Sequence, residues 1–299
     1  MSRPPLDVAT HLGEGEDPLR ERVTAYYEDT WEDYRRYWAS ERDLGMHFGY
    51  WDATTRSHSD SLLNANRYLA DTVGVRAGER VLDAGCGVGG SALWLAEQRG
   101  AEVVGITVVP RQVALAQRHA AERGLERRVR FELADYTRTP FPSESFDVVW
   151  AQESANHAAE PLAFYREAAR LLRPGGRLVL SDGMRRRRPF DRLSERLFRK
   201  WADGWAVPDL GTAEEHLRWA GASGLTDIRL EDITAHGYRS LARLTRVVAA
   251  DYPLNLTRRL LGRRSRIEQA NTSAVFPLLW LVLRKACYYG VVSARKPAE

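Results

Sequence analysis

The residues best suited to chemistry form one run, Val81-Leu-Asp-Ala-Gly-Cys-Gly-Val-Gly-Gly. It places glycines where a strand turns into a helix, so that backbone N–H groups can approach a ligand with no Cβ atoms in the way. A nucleotide and S-adenosylmethionine (SAM) both suit such a turn. Gly85, Gly87 and Gly90 also satisfy the G-x-G-x-x-G spacing of dinucleotide sites, which makes a dehydrogenase the rival reading. Three neighbours favour SAM. Asp83, just before the loop, offers a carboxylate that can meet the ammonium of a methionine moiety and would repel a pyrophosphate. The next strand ends at Thr107 with no carboxylate for the ribose of a nicotinamide dinucleotide, although Gln112 stands near enough to bond the hydroxyls. Asp135 follows the third strand, where its carboxylate can accept from the adenine amino group.

A second set of residues points to an acceptor. Methyl transfer from a sulfonium needs an in-line nucleophile held in a dry site, and a general base only if that nucleophile carries a proton. Glu153 and His157 follow the fourth strand, at the carboxyl end of the sheet where ligands of such folds sit. Spaced by four, they suit one side of a short helical turn, and capping the next helix is the competing role for each. His47 and Tyr50 lie in the stretch that joins an N-terminal lid to the core, as substrate contacts or as a packed loop. Trp31, Trp38, Trp51, Trp201 and Trp205 come from lid segments and serve either to pack the lid or to line an apolar cavity. Arg185 to Arg188 offer guanidinium groups to a diphosphate, or form a solvated face. There is no D-D-x-x-D stretch and no Cys or His cluster at metal spacing, so no metal is expected.

These residues need a scaffold, and the periodicity supplies one. Residues 1–17 read as a flexible leader. From Leu19 to Trp38 apolar and aromatic positions recur every three or four residues, an amphipathic helix, and Ser59 to Val73 forms a second. Strands at Arg80–Asp83, Glu102–Thr107, Val129–Leu133, Phe146–Ala151 and Arg177–Ser181 then alternate with helices, which implies a parallel sheet covered on both faces. Arg173-Pro-Gly-Gly is the expected turn into the fifth strand. Beyond Met184 an Arg- and Trp-rich helical stretch runs to about Asp209, a helix spans Thr212 to Ala222, and a strand spans Asp227 to Ile233. Ser240 to Lys285 is helical, and Tyr288 to Ala294 is a last strand. The expected architecture is α/β, a Rossmann-like doubly wound seven-stranded mostly parallel sheet with helical lid insertions. Its parts are a leader and lid over 1–75, a SAM-binding core over 76–183, a lid insertion over 184–224, and C-terminal core strands with a helical substrate lid over 225–299.

The chain resembles the branch of class I SAM-dependent methyltransferases that contains γ-tocopherol, sterol and related isoprenoid methyltransferases. The resemblance rests on Val81 to Gly90, Gly105-Ile-Thr-Val-Val-Pro-Arg-Gln and Glu153-Ser-Ala-Asn-His. It extends to Tyr26-Tyr-Glu, Met46-His-Phe-Gly-Tyr-Trp, Phe276-Pro-Leu and Val291-Val-Ser-Ala-Arg-Lys-Pro. It implies that Gly85, Gly87, Thr107, Gln112, Asp135, Tyr136 and Gln152 contact SAM, with Thr107 and Gln112 in place of the acidic ribose ligand of other class I enzymes. It also implies that Tyr27 closes over the cofactor; as one rung of an aromatic stripe, Tyr27 would instead only pack. By the same resemblance the reaction is C-methylation of a terpenoid, prenylated or phenolic acceptor. Aromatic rings would stabilise a carbocation there and Glu153 or His157 would remove the proton. N- or O-methylation of an indole alkaloid or other secondary metabolite is the alternative, and a protein that binds SAM and acts by association alone is the non-enzyme rival.

Composition bounds the partners. In 299 residues, 44% of them hydrophobic, one large core plus a lid can be buried without disulfides. The formal net charge is only +4 and the basic residues form no single concentrated patch, so nucleic acid is not expected and a small apolar molecule is. Cys86 and Cys287 lie far apart, which suits a reducing cytoplasm. No secretory h-region is found near Met1, and the longest apolar run, Ala274 to Leu283, is about half the ~20 residues of a spanning helix. A homo-oligomer is left open.

Overall fold

The computed structural model describes residues 10–12, 17–38, 40 and 42–298. A two-residue strand β1 (Thr10–His11) precedes helices α1 (Pro18–Tyr37) and α2 (His58–Val73). Strand and helix then alternate through β2 (Arg80–Ala84), α3 (Gly90–Arg99), β3 (Glu102–Thr107), α4 (Pro110–Glu122), β4 (Val129–Ala134), β5 (Phe146–Gln152), α5 (Pro161–Leu171) and β6 (Leu172–Arg185). The chain continues through α6 (Arg192–Gly204), α7 (Ala213–Ala222), β7 (Thr226–Asp232), α8 (Thr234–Leu260), α9 (Arg266–Leu283) and β8 (Cys287–Arg295).

The strand order is β1-β4-β3-β2-β5-β6-β8-β7. β8 runs antiparallel to both β6 and β7, and the other pairs are parallel. Alternation along each central strand builds the two faces. Val81, Val103, Val148 and Trp150 pack on the side of α2, α3 and α4, where they meet Leu69, Leu93 and Val113. Leu82, Val104, Val149 and Ala151 pack on the other side with Phe164 of α5 and Ala220 of α7. The sheet is therefore doubly wound, as the alternation of elements requires.

Helix α1 starts where Asp17 caps the backbone N–H groups of Leu19 and Arg20 at 3.0 and 3.2 Å, with Pro18 in the first turn. Its buried residues Val23, Tyr26, Thr30, Asp33 and Tyr37 recur at spacings of three and four and press against α9 and α8. Helices α6 and α9 share a further apolar cluster of Phe198, Trp201, Ala274, Leu278 and Leu281. These helices roof the carboxyl end of the sheet.

Several boundaries differ from the sequence reading. The leader was expected to be unstructured, yet Thr10 and His11 pair with Leu133 and Ala134 as an eighth, edge strand; residues 1–9 and 13–16 fall outside the described residues. Arg173-Pro-Gly-Gly is an irregularity within β6, where pairing with β5 jumps from Phe146↔Leu172 to Val148↔Arg177. Met184 and Arg185 extend β6, and the helix expected to begin there starts only at Arg192, capped by Asp191. The long C-terminal helical stretch is two helices. Gly262, with φ +69°, turns the chain after α8, and Ser265 with Glu268 forms a capping box that opens α9. Among the described residues no helix is long and apolar enough to cross a membrane.

Candidate active site

The glycine turn closes on the neighbouring strand, because the N–H groups of Gly85 and Cys86 both donate to the Ile106 carbonyl at 2.9 Å. Gly85 (φ +92°) and Gly87 (φ +52°) hold left-handed backbone, and a Cβ at Gly90 would lie 2.7 Å from the Leu44 carbonyl oxygen. The turn and the start of α3 wall a cavity of about 320 Å³. Tyr27, Asp83, Gly85, Gly87, Thr107, Gln112, Asp135, Tyr136 and Gln152, the residues expected at the cofactor, all line it, and so does His47, which was expected at the substrate and lines this cavity only.

One end of this cavity carries polar atoms that the protein itself leaves unsatisfied. Asp83 is 2% exposed, its Oδ2 has no partner, and burial pushes its carboxyl up to about 7. Gln152 accepts from the Ser91 hydroxyl at 2.8 Å, which leaves its buried Nε2 amide without an acceptor. His47 Nδ1 lies 3.0 Å from the Phe48 carbonyl oxygen, so the ring proton sits on Nδ1 and the unpartnered Nε2 is a buried acceptor. Two acceptors for an ammonium beside a donor for a carboxylate fit the amino-acid end of SAM. Orphaned buried groups are costly unless a ligand pairs them.

Among the other lining residues the Thr107 hydroxyl donates to Gln112 Oε1 at 2.7 Å, which leaves the amide NH2 of Gln112 as the donor end of the pair. Asp135 Oδ1 is taken by the backbone and hydroxyl of Thr137, both at 2.7 Å. Tyr136 donates to the Ser154 carbonyl at 2.8 Å and stands edge-on to Phe164.

A second, smaller cavity of about 80 Å³ adjoins the first, and Tyr27, Met46, Glu153 and His157 line both. Glu153 directly follows β5 in left-handed backbone (φ +51°), a costly conformation for this residue type that breaks the run of the strand. Its Oε1 accepts from the Phe48 N–H and from the Tyr289 hydroxyl, and burial raises the carboxyl to about 8. His157 belongs to a separate 3-10 turn, Ala155–His157, so the two do not share a helical face as their spacing suggested. Its Nδ1–H donates to the Ala206 carbonyl at 3.1 Å and its Nε2 accepts from the Tyr27 hydroxyl at 3.0 Å, while burial lowers its pKa to about 4. The imidazole is thus neutral, with its lone pair occupied.

The second cavity is mostly aromatic. Trp201 and Trp205 line it, as does Trp38; Trp205 donates to the Asn271 carbonyl at 3.1 Å and Trp38 to the His47 carbonyl at 2.7 Å. Tyr50 lines neither cavity: its ring stacks between Tyr68 and His236 at 4.3 and 4.1 Å. Trp31 packs on the core beside Arg111, and Trp51 bonds Ser240 at 2.9 Å. Three of the four arginines proposed to hold a diphosphate are committed elsewhere. Arg185 is 2% exposed, lies 3.8 Å from the Phe198 ring centre and pairs with Asp209 and Glu195, while Arg186 pairs with Asp232 and Arg188 with Asp209 and Glu215.

The sequence reading did not single out Asp182, Asn156, Tyr34 or Tyr289, which also line the second cavity. Asp182 Oδ1 and Oδ2 accept from the side-chain and backbone N–H of Asn156 at 2.7 and 2.9 Å, and burial raises that carboxyl to about 7. An acidic residue closing the apolar run of β6 was the available signal.

Residues 82–180 match the methyltransferase domain family. Over 178 residues the chain is 38% identical to 27-O-demethylrifamycin SV methyltransferase of Amycolatopsis mediterranei, covering 59% of this chain and 65% of that protein. Over 231 residues it is 30% identical to the probable chloroplastic tocopherol O-methyltransferase of Oryza sativa, covering 72% and 62%. The chain thus spans just under two thirds of these relatives. The crystal structure of the [4+2]-cyclase SpnF superposes with a TM-score of 0.79 at 26% identity, covering 94% of this chain and 98% of that one. A geranyl diphosphate methyltransferase in complex with GPP and sinefungin superposes with a TM-score of 0.73 at 19% identity and shares the fold.

Proposed function

We propose that this chain is a class I SAM-dependent methyltransferase that methylates a hydroxyl group of a bulky, largely apolar natural product, a reading supported by the methyltransferase domain match and by the named methyltransferases it resembles. The cofactor, when bound, supplies an electrophilic methyl group on a sulfonium sulfur. The chain's own residues do the rest. Asp83, His47 and Gln152 pair with the amino-acid end, Thr107 and Gln112 with the ribose, and Asp135 with the adenine. The aromatic cavity excludes water from the acceptor, which strengthens each polar contact inside it.

The observation that carries the reading is the place of Glu153, on the wall between the cofactor cavity and the aromatic one. A carboxyl held near 8 by burial can take the proton of an acceptor hydroxyl as the oxygen attacks. Tyr27 and His157 hold that wall in position, since the neutral imidazole is fully bonded and acts as an acceptor for the phenol. A carbon acceptor, favoured by the family resemblance, would leave Glu153 idle until after attack. The 38% identical relative is named for an O-demethyl substrate, which supports oxygen. Glu153→Gln should lower kcat by about 100-fold or more with the SAM dissociation constant unchanged. Unaltered turnover in that variant would refute the role.

A second reading is favoured by SpnF, which shares nearly the whole chain and is named a cyclase. On that reading the aromatic cavity folds a polyene for ring closure and no methyl group moves. Mass spectrometry separates the two, because cyclisation leaves the mass of the acceptor unchanged.

A further inference from the structure

Helices α8 and α9 form a hairpin that leaves the sheet after β7 and returns to it at β8, so the turn between them is its distal end. Residues 252–267, around that turn, hold five arginines and no carboxylate. At the apex stand Leu260 and Leu261, 79% and 63% exposed, the two most exposed large apolar side chains among the described residues. Gly262 follows with φ +69°, and a Cβ there would meet nothing within 4 Å, so the apex is open on that side too. Leu254 and Leu256, on the preceding turns of α8, are exposed as well. Neither apical leucine lines the cofactor cavity or the aromatic one.

The charge around the apex is not neutralised from within. Arg264 turns inward to Asp33 at 2.7 Å, and Arg259 reaches the Arg264 carbonyl at 3.5 Å. Among the described residues Arg258, Arg263 and Arg266 have no carboxylate partner. The carboxylates that bracket the run are engaged elsewhere, Asp251 with Arg36 at 2.8 Å and Glu268 with the Ser265 N–H at 2.6 Å. A single exposed leucine is ordinary. Two adjacent ones on a convex apex, ringed by free guanidinium groups, need a partner that takes both kinds of group at once. Nucleic acid would pair with the arginines and leave the leucines in water. A second copy meeting tip to tip would set like charges against each other. An anionic lipid surface takes both: leucine enters the acyl boundary without needing a matching groove, and arginine meets phosphate at the headgroup level.

We propose that the turn between α8 and α9 docks the protein on an anionic lipid surface, with Leu260 and Leu261 inserted and Arg258, Arg263 and Arg266 on lipid phosphates. Two weak signals act together, since neither a short apolar insertion nor a few basic residues holds a protein on a membrane alone. A largely apolar acceptor concentrates in lipid, so docking brings the enzyme to its substrate. That link to catalysis rests on reading the aromatic cavity as the acceptor site, whereas the docking itself does not.

The test is co-sedimentation of the full chain with vesicles of phosphatidylcholine alone and of phosphatidylcholine mixed with phosphatidylglycerol, at near-physiological salt. The mixed vesicles should bind about tenfold or more tightly, and added salt should erode that gain. Leu260→Ser/Leu261→Ser should weaken binding to the mixed vesicles by about tenfold or more, and Arg258→Gln/Arg263→Gln should erase most of the preference for phosphatidylglycerol. The leucines and Arg263 are exposed and Arg258 is half-buried, so both variants should keep the fold, checked by circular dichroism. Equal binding to the two kinds of vesicle, or no binding to either, would overturn the inference. So would mixed-vesicle binding that survives loss of both leucines, which marks a purely electrostatic surface for an acidic protein or nucleic acid. Self-association without lipid that the leucine variant abolishes would also overturn it, in favour of a second copy. SAM titration of the same sample reads the parent assignment separately: failure there with intact vesicle binding sinks the methyltransferase reading and not this surface.

Discussion

At His157 a pair of hydrogen bonds decides the chemistry. The Ala206 carbonyl fixes the proton on Nδ1 and the Tyr27 hydroxyl fills Nε2, so the residue that looks most like a base in the sequence is occupied. Tyr27→Phe removes that donor and leaves a buried acceptor unpaired, which should destabilise the fold by about 1–3 kcal/mol in denaturant unfolding. Gly87→Asp makes a different demand. The position has φ +52° and a Cβ there would meet Met46 Sδ at 3.3 Å, so strain and a carboxylate would both enter the cofactor cavity. SAM binding should be lost in a titration, and undiminished affinity would show that the turn has been misread. The residues proposed for the cofactor could be grouped from the sequence because a glycine turn and strand ends fix their positions locally, and they line one cavity. Tyr50 was not, because the stacking of Tyr68 and His236 on its ring joins distant parts of the chain.

At the scale of elements, the roof over the site depends on a few ties. Asp33 of α1 and Arg264 at the start of α9 form a buried, two-pronged pair at 2.7 and 2.9 Å, and Asn271 of α9 donates to the same carboxylate at 3.0 Å. Asp33→Asn leaves the buried guanidinium with only the more distant Glu268 carboxylate at 3.7 Å as counter-charge, so unfolding should become easier by roughly 3 kcal/mol. A loss below 1 kcal/mol would mean water reaches the pair. Such ties were invisible in the sequence, since the two residues stand 231 positions apart. The helices they join were visible, because period 3.6 is a local pattern. The exception was the break between α8 and α9, where Pro253 and Pro277 suggest interruptions and yet both lie inside helices. The true break follows from Gly262 and the Ser265 cap. The edge strand β1 was missed for a related reason: two residues are too few to show alternation.

The whole molecule stores unfavourable charge at its site. Burial holds the carboxyls of Asp83 and Asp182 near 7 and that of Glu153 near 8, whereas in the unfolded chain they titrate near 4. Groups raised in this way favour the fold fully below about pH 4, and that contribution is lost as pH rises toward 8. Neutral His58, His157 and His216, lowered to about 4, act oppositely, and their contribution is lost as pH falls from about 6.5 toward 4. Hence Glu153→Gln should raise the melting temperature relative to the parent more at pH 8.5 than at pH 5, and a difference that does not depend on pH would remove the argument for a buried, unfavourably ionised carboxylate. That same carboxyl is the one assigned to proton transfer, so stability is given up where the chemistry is expected.

The most direct test of the assignment is mass spectrometry of reactions that contain SAM labelled in its methyl group and a panel of hydroxylated macrocyclic, prenylated and phenolic acceptors, run with the parent chain and with Glu153→Gln. One labelled methyl group on an acceptor oxygen, formed by the parent and nearly absent from the variant, is the predicted result. An acceptor isomerised without gain of label, or label transferred equally by both proteins, would contradict the account.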